Sequence, residues 1–535
     1  MSFPKIYTLS ESSFCVEFGN EIDEKINARA MRLHQYLQSN PFDGYIESIP
    51  SYTTLTIFYS SDKTLAQSYI ETLIKNARSE MSFEPRSIKV PILYNGEDLE
   101  LVAATHNIGV QDVIDIHQSQ PYKVYMMGFL PGFPYMGIVD DKIATPRKAV
   151  PRQLVEEGSV GIAGKQTGIY PMDSPGGWQI IGKTPLNLFD LKKDDPFLFK
   201  AGDEVKFFSI TKKEYDEKVN FEQISPEQKI DGDIIVIRPG VHSSIQDEGR
   251  IGYRAYGVPI SGAMDMNSFY IANALVGNER NAACIECTMG GLQLQFKKNT
   301  AIAVTGSCDA FMNGRQFRTW QTLTAFANDI LEIKFSNEGI RSYVAVRGGI
   351  DSPLIMNSRS VYAKAGIGRA LKKDDQLKIG NSFSPNPKRI ADKIFAPQHQ
   401  ANPSIRLFHG SEFDLMENSS KEKLFTYHFT LSNQSDRMGY RLESEPLILR
   451  EQKDMLSTAV TKGTIQLTPS GQLIILMSDC QTTGGYPRIG QVAAADLSIL
   501  SQLKPGDNIQ FKYTSFEEAC QLNLSEQKRI DDLFN

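Results

Sequence analysis

The sequence predicts a mainly β protein with α+β character, in which a small α+β domain is followed by β-barrel domains. Two longer helical patterns alternate with strand-like runs near the start of the chain. From Tyr122 to Ser209, glycine and proline come densely among short strand patterns, as barrels or sandwiches require. Four blocks also recur in the same order, which suggests one structural unit used twice. The first copy runs Gly158–Gly164, Gln166–Pro171, Ile181–Thr184 and Ala201–Phe207. The second runs Gly463–Gln466, Gln481–Pro487, Ile489–Val492 and Pro505–Phe511.

Taken in order, residues 5–18 and 44–59 carry strand-like stretches, the clearest being Thr53–Tyr59. Between them Ile22, Ile26, Ala30, Leu33 and Leu37 fall at helical spacing, and Asn40-Pro41 stops the helix. A second helix is expected over 64–79, and short ones around Asp98–Thr105 and Gln111–Gln118. Residues 211–233 read as a terminal helix plus linker, and Asp233–Arg238 opens a new β-rich region. That region has one good helix pattern, near Met266–Val276. Ser382–Pro387 through Ser404 reads as a connector. The expected divisions are 1–88, 89–230, 231–400 and 401–535, within the three to five domains that 535 residues suggest.

Composition narrows the function classes. The net charge of −6 comes from 57 basic and 63 acidic residues without long single-sign runs, which argues against nucleic-acid binding. No apolar run reaches the ~18–20 residues of a bilayer span, and the start lacks a signal-peptide pattern. Six cysteines are sparse for this length and read as reduced thiols. A cytoplasmic protein, away from membranes, is expected.

Several motifs have a plainer reading. Gly177–Thr184 fits the spacing G-x-x-x-x-G-K-[ST], but its middle is strand-like and Pro185 follows, where a phosphate loop must open a helix. Cys284 and Cys287 lack a second ligand pair and read as a buried structural pair. His242, beside Ser243 and Ser244, lacks an ordered third partner, and Ala365–Arg369 reads as a turn.

Clusters of ring, small residue and fixed charge are more informative. Phe129–Tyr135 can build an aromatic wall near Arg147, and Ser174–Trp178 gives close backbone approach beside a large ring. Gln246–Gly252, Gly257–Asp265 and Ser435–Arg441 combine acid, amide and guanidinium between turns. Arginines grouped with amides suit carboxylate or phosphate, although salt-bridged turns use the same residue types.

Gly128–Tyr135, Thr145–Arg147, Pro151-Arg152 and Gly158–Thr184 resemble the allophanate hydrolase subunit 1 family, which includes the B subunit of 5-oxoprolinase together with a sporulation kinase inhibitor. Ser244–Arg250, Gly257–Asp265, Ala272–Asn278, Ser435–Arg441 and Met477–Tyr486 resemble the subunit 2 family, with the C subunit of 5-oxoprolinase plus the inhibitor's antagonist. The chain therefore looks like a fusion of the two. The resemblance implies cyclophilin-like β-barrels at 89–230, in the B-type half, and at 401–535, in the C-type half. It implies ATP-dependent opening of 5-oxoproline to glutamate, with ATP accompanied by Mg. It also implies a separate partner from the family of 5-oxoprolinase A subunits.

Two other functions come with the resemblance: biotin-dependent carboxyl transfer, as in urea carboxylase, and control of a histidine kinase. The first calls for a biotin carrier turn and a biotin carboxylase, neither of which is in this sequence. Lactam opening calls for cations around phosphoryl oxygens and a clamp for the substrate carboxylate. Asp247, Arg250, Asp265 and Asp479 are the expected catalytic residues, with Asp247 or Asp479 as base or metal ligand. Arg147, Gln166, Tyr170, Trp178, Lys183, Gln246, Arg437, Arg441, Gln481, Thr482 and Tyr486 are the expected substrate or ATP contacts. Lys183 stands where the family tends to carry arginine, and keeps the charge without the planar fork. The metal and the oligomeric state are left open, a homo-oligomer included.

Overall fold

A computed structural model describes residues 4–60, 63–76, 85–219, 231–383, 402–451 and 455–534. At the amino end, Lys5–Ser10, Ser13–Glu17, Thr54–Tyr59 and Tyr45–Pro50 form an antiparallel sheet in that spatial order. Helix Glu24–Ser39 starts at Asp23, whose carboxylate accepts from the Lys25 and Ile26 amides at 2.8 and 2.9 Å. It buries Ala30, Leu33 and Leu37 against Leu55, Ile57 and Tyr59, and helix Lys63–Asn76 adds Ala66 and Ile70. Strand Thr54–Tyr59 is buried along its whole length because its other face is covered too. There Phe58 and Ile49 pack on Ala459 from far along the chain.

A seven-stranded sheet follows, in the order Gln179–Lys183, Ser159–Ala163, Gln166–Ile169, Pro134–Gly137, Tyr122–Met127, Glu204–Ser209, Ser87–Ile92. Leu93 and Lys183 exchange backbone hydrogen bonds at 2.9 Å, so the sheet nearly closes on itself. Helices Leu99–Thr105 and Val110–Gln118 plug it, with Leu99, Val102 and Val113 in its core. The helix Lys212–Val219 leads away, and the rest of the expected linker lies outside the described residues.

Residues 231–383 form two packed sheets. One has seven strands and includes Ile234–Pro239 and Leu292–Phe296; the other has five and includes His242–Gln246, Cys284–Thr288 and Arg341–Val346. Helix Met266–Val276 covers the five-stranded sheet, burying Phe269, Ala272 and Val276 against Ala303, Tyr343 and Ala345. The connector expected at 382–404 falls largely outside the described residues.

The last sheet is a closed barrel: Ser404–His409, Arg488–Val492, Thr464–Leu467, Leu473–Leu476, Gly439–Glu443, His428–Leu431, Asn508–Tyr513. Its strands follow the same spatial order, in the same chain order, as those of the first barrel. In both, the first and last strands pair in parallel while the other ladders are antiparallel. Each also carries a two-stranded ribbon, Arg152–Val155 with Ser174–Gly176 and Thr458–Ala459 with Thr483–Gly484. Helix Phe516–Phe534 then returns to pack Ile530 and Leu533 on Ile271 and Ala274.

The repeat is therefore one barrel topology used twice, but its middle block needs correction. Gln166–Ile169 is a barrel strand whose counterpart is Leu473–Leu476, whereas Gln481–Tyr486 corresponds to the ribbon and turn Ser174–Trp178. The shared Gln-Thr-Gly and Tyr-Pro lettering is not structural equivalence. Gly177–Thr184 contains barrel strand Gln179–Lys183, and no helix opens from it.

Candidate functional site

The first barrel gathers an aromatic cage from several elements. Phe133 packs against Trp178, Tyr170 and Tyr135 at centroid distances of 5.4, 5.2 and 4.9 Å, and Tyr52 reaches in from the amino-terminal domain, 6.1 Å from Tyr135. The Arg147 guanidinium lies 5.9 Å from the Trp178 ring centroid. Gln166 lies beside the Tyr52 hydroxyl, which is buried and has no hydrogen-bond partner among the described residues. Burial pushes the Tyr135 and Tyr170 hydroxyls up to about 12, so both stay neutral donors at neutral pH. Four expected residues thus share one place: Arg147, Gln166, Tyr170 and Trp178.

The cage is held from behind by a buried carboxylate. Asp98 accepts from Arg152 at 2.6 and 2.7 Å, from Lys148 at 2.7 Å and from the Ile180 amide at 2.7 Å. Burial works against its charge, but these donors outweigh it and hold the pKa below the usual aspartate value. Arg152 also donates to the Trp178 carbonyl at 3.2 Å, which ties the network to the cage. Glu412 does the same work in the second barrel, accepting from the Arg488 side chain at 2.7 and 2.8 Å and its amide at 2.9 Å.

A second site lies where the loop Gly257–Asp265 meets the second barrel. Met264 inserts into the barrel core, and the Ser261 amide donates to the Ser478 carbonyl at 3.0 Å. Between loop and barrel is a pocket of about 60 Å3, lined by Arg254, Ser261, Lys462, Ser478, Gln481 and Thr482 among others. Arg437 fixes the rear of this junction. It holds Asp479 at 2.9 and 3.1 Å, Glu286 at 2.5 Å and the Gly262 carbonyl at 2.7 Å. Burial opposes the Glu286 charge, yet Arg437 and Arg341 keep its pKa below the ordinary value. Lys462 donates to the Met264 carbonyl at 2.9 Å. Burial, with Arg437 in support, brings Lys462 down to about 8.

The cage and the pocket adjoin. Leu456, from the second barrel, packs into the cage cluster. The turn that carries Phe133 begins at Gly128, whose Cα faces the Thr483 side chain, and the Gly132 amide donates to the Tyr256 carbonyl at 2.9 Å. The two barrels therefore meet through the ends that carry their matching ribbons.

Other expected residues have structural duties. Asp247 was expected as base or metal ligand, but both its oxygens are engaged, by Gly249, Ser358, Ser360 and Arg359. Asp265 caps helix Met266–Val276 and accepts from Ser268 and Gln502. Asp479, the other residue expected as base or metal ligand, is clamped by Arg437. Arg250 is buried beneath its loop and donates to the Ile355 and Ser360 carbonyls, while Gln246 donates to Ser244. Lys183 pairs with Glu156 at 2.6 Å, at the far end of its strand from Trp178. Arg441 is on the exposed side of its strand and Tyr486 is 43% exposed, so neither is in the pocket wall. Cys284 and Cys287 are buried three positions apart on one strand and face opposite sides. Among the described residues, no group of three or more His, Cys, Asp or Glu could hold a metal.

The residues missed are Tyr52, Asp98, Arg254, Glu286 and Lys462. A signal for Asp98 was present: Gly96-Glu97-Asp98 and Gly410-Ser411-Glu412 share a glycine two positions before an acid at the same place in each barrel. Lys462 carries no local signal, since its environment is made by residues distant in sequence.

Comparison with known proteins gives the following. The family description "Carboxyltransferase domain, subdomain C and D" matches residues 4–199, and "Carboxyltransferase domain, subdomain A and B" matches 256–513. The chain is 38% identical over 303 residues to the 5-oxoprolinase C subunit of Escherichia coli (strain K12), covering 56% of this chain and 96% of that protein. It is 41% identical over 227 residues to the 5-oxoprolinase B subunit of Bacillus subtilis (strain 168), covering 39% and 95%. Urea amidolyase of Lachancea kluyveri is 32% identical over 331 residues, which cover 56% of this chain and only 18% of that protein. The crystal structure of TTHA0988 aligns with a TM-score of 0.81 at 28% identity, covering 94% of this chain and 99% of that one.

Proposed function

This chain belongs to the carboxyltransferase-domain family as a fusion of two 5-oxoprolinase-type halves, one B-type and one C-type, and we propose that it opens 5-oxoproline to glutamate at the expense of ATP. A five-membered lactam resists water because amide resonance stabilises it. Phosphoryl transfer from ATP to the lactam oxygen makes the ring carbon electrophilic and releases ADP. Water then adds at that carbon, the C–N bond breaks to free the amine, and a second water releases phosphate from the acyl phosphate, leaving glutamate. Such chemistry is catalysed chiefly by positioning and by charge placed opposite the transferring group.

One observation carries this reading: relatives of both the B and the C type are joined here in one chain, and their barrels adjoin at the cage and pocket. The cage offers flat apolar faces to a lactam ring, with Gln166 and the neutral Tyr135 and Tyr170 hydroxyls as polar contacts. Arg254 and Lys462 supply positive charge beside it. Magnesium would arrive with ATP, and a separate protein of the 5-oxoprolinase A type is the partner this role calls for. Within this chain, the sequence that fits phosphate-loop spacing is a barrel strand and offers no helix amino terminus to phosphates.

The test mixes the purified protein with a candidate A-type partner, ATP and 5-oxoproline, and follows glutamate and ADP. Both should form in equal amounts, and only in the mixture. No product above either protein alone, with both folded and associated, overturns the reading. Avidin-sensitive bicarbonate incorporation would point instead to the biotin-dependent carboxyl transfer suggested by the match to urea amidolyase.

A further inference from the structure

We propose that the small pocket between the Gly257–Asp265 loop and the second barrel is a clamp for one oxyanion, a carboxylate or phosphoryl group, gripped by Lys462 and Arg254 with the Ser261 and Thr482 hydroxyls donating. The pocket of about 60 Å3 is several times the ~10–15 Å3 that one water needs, which suits a group of three or four heavy atoms rather than a whole nucleotide.

Its lining is built for a missing acceptor. Ser261 and Thr482 are 5% and 2% exposed, and both hydroxyl oxygens are buried without a hydrogen-bond partner among the described residues. A buried hydroxyl left unpaired is costly, so two on residues that line one pocket point to a ligand that satisfies them. Arg254 spends its Nε and backbone amide on Glu47, at 2.6 and 3.2 Å, which holds the side chain in place at the pocket. Among the described residues Lys462 has one acceptor, the Met264 carbonyl, and its ammonium has two further protons to give.

Around Lys462 lie Arg437 and Arg341 on one side of the balance and Glu286 and Asp265 on the other, with Cys480 nearby. Glu286 and Asp479 are both committed to Arg437, and Asp265 to Ser268 and Gln502, so these carboxylates are occupied. A pKa of about 8 makes the clamp's charge respond to mild alkali. An anion binds the protonated form, so affinity is present below pH 8 and falls above it.

Identifying the anion as the carboxylate of a lactam acid rests on the proposed function; the clamp itself does not. Calorimetry on the whole chain uses three probes: L-5-oxoproline, 2-pyrrolidinone, which is the same ring without a carboxylate, and inorganic phosphate. The expected result is that 5-oxoproline or phosphate binds, 2-pyrrolidinone binds at least about tenfold more weakly, and Lys462→Met loses at least about tenfold. From pH 7 to 9.5 the wild-type affinity should fall roughly tenfold or more, with proton uptake near pH 8, whereas Lys462→Arg should bind without that fall. Binding of 5-oxoproline that phosphate does not displace identifies a carboxylate site; binding of phosphate alone identifies a phosphoryl site. If neither anion binds the folded protein, or Lys462→Met binds like wild type, the clamp is refuted. Glutamate formation in the full mixture, with the KM for 5-oxoproline and the KM for ATP both unchanged in Lys462→Met, removes the clamp and leaves the function. Lost phosphate binding in that variant, with no glutamate from the wild-type mixture, does the reverse.

Discussion

At the scale of single residues, the ionisable groups that matter most for stability are those whose charge state the fold dictates. His117 is fully buried, bonded to the Tyr94 hydroxyl at 2.8 Å and the Thr167 hydroxyl at 3.0 Å, and stacked on Phe207. Burial lowers its pKa to about 3. The unfolded chain therefore takes up a proton from pH 6.5 downward while the folded one does not. Stability is lost as pH falls through that window, by about 2 kcal/mol at pH 5 from this residue. Urea midpoints measured from pH 7 to 5 should fall with that slope, and His117→Gln should flatten it while lowering stability at pH 7. Asp98 acts in a lower window. Its depressed pKa adds stability above the ordinary aspartate value, which is lost as pH falls through the folded one. Asp98→Asn leaves Lys148 facing a neutral amide and Arg152 paired with Glu97 alone, and should cost about 1–3 kcal/mol in chemical denaturation. A cost below about 1 kcal/mol would mean that the network is not the cage's support.

At the scale of elements, the helices were legible wherever an apolar stripe meets a cap or a stop. The pattern at Ile22–Leu37 became Glu24–Ser39, and that near Met266–Val276 became a helix with those limits. Helix Phe516–Phe534 was not foreseen, because its apolar stripe is broken by charge and its partner, helix Met266–Val276, is remote in sequence. The repeat was legible as a repeat, and its register was not. Barrel strands are short, and a shared Gln-Thr-Gly string says nothing about which strand carries it. What fixes equivalence is close backbone approach. A Cβ on Gly96 would strike the backbone at Ile180–Gly182, and one on Gly410 would strike the backbone at Arg488–Gly490. Gly96→Ala and Gly410→Ala should each push the strand–helix turn off the neighbouring strand and destabilise by about 1–3 kcal/mol. Gly252 has open space around its Cβ position, but its φ of +96° makes alanine there a test of strain alone. Melting curves of the three variants separate the effects, and a silent Gly96→Ala would refute the proposed equivalence of the two turns.

At the scale of the whole molecule, the candidate site depends on how the halves are joined, and that was the least legible feature of all. Expected site residues such as Arg147 and Thr482 were visible singly, yet nothing local tells that Leu456 enters the first barrel's cage or that Glu47 reaches Arg254. Glu47 and Arg254 are each 6% exposed, and the Arg254 guanidinium also stacks 3.3 Å from the Phe58 ring centroid. Arg488 adds a hydrogen bond to the Tyr7 hydroxyl at 3.1 Å, and the Ala494 amide donates to Glu11 at 2.7 Å. A joint with so many buried polar ties and a packed apolar centre should hold without a covalent link. Residues 1–219 and 231–535, expressed as two chains, should therefore co-elute as a one-to-one complex. Glu47→Gln leaves Arg254 buried and half-paired, and should weaken that complex by about 2–5 kcal/mol. Glu156→Gln removes an ion pair in which the acid is 69% exposed, and should change it by less than about 1 kcal/mol. Halves that each fold but do not associate, or equal effects from the two substitutions, would mean that the linker rather than the Glu47–Arg254 joint brings cage and pocket together.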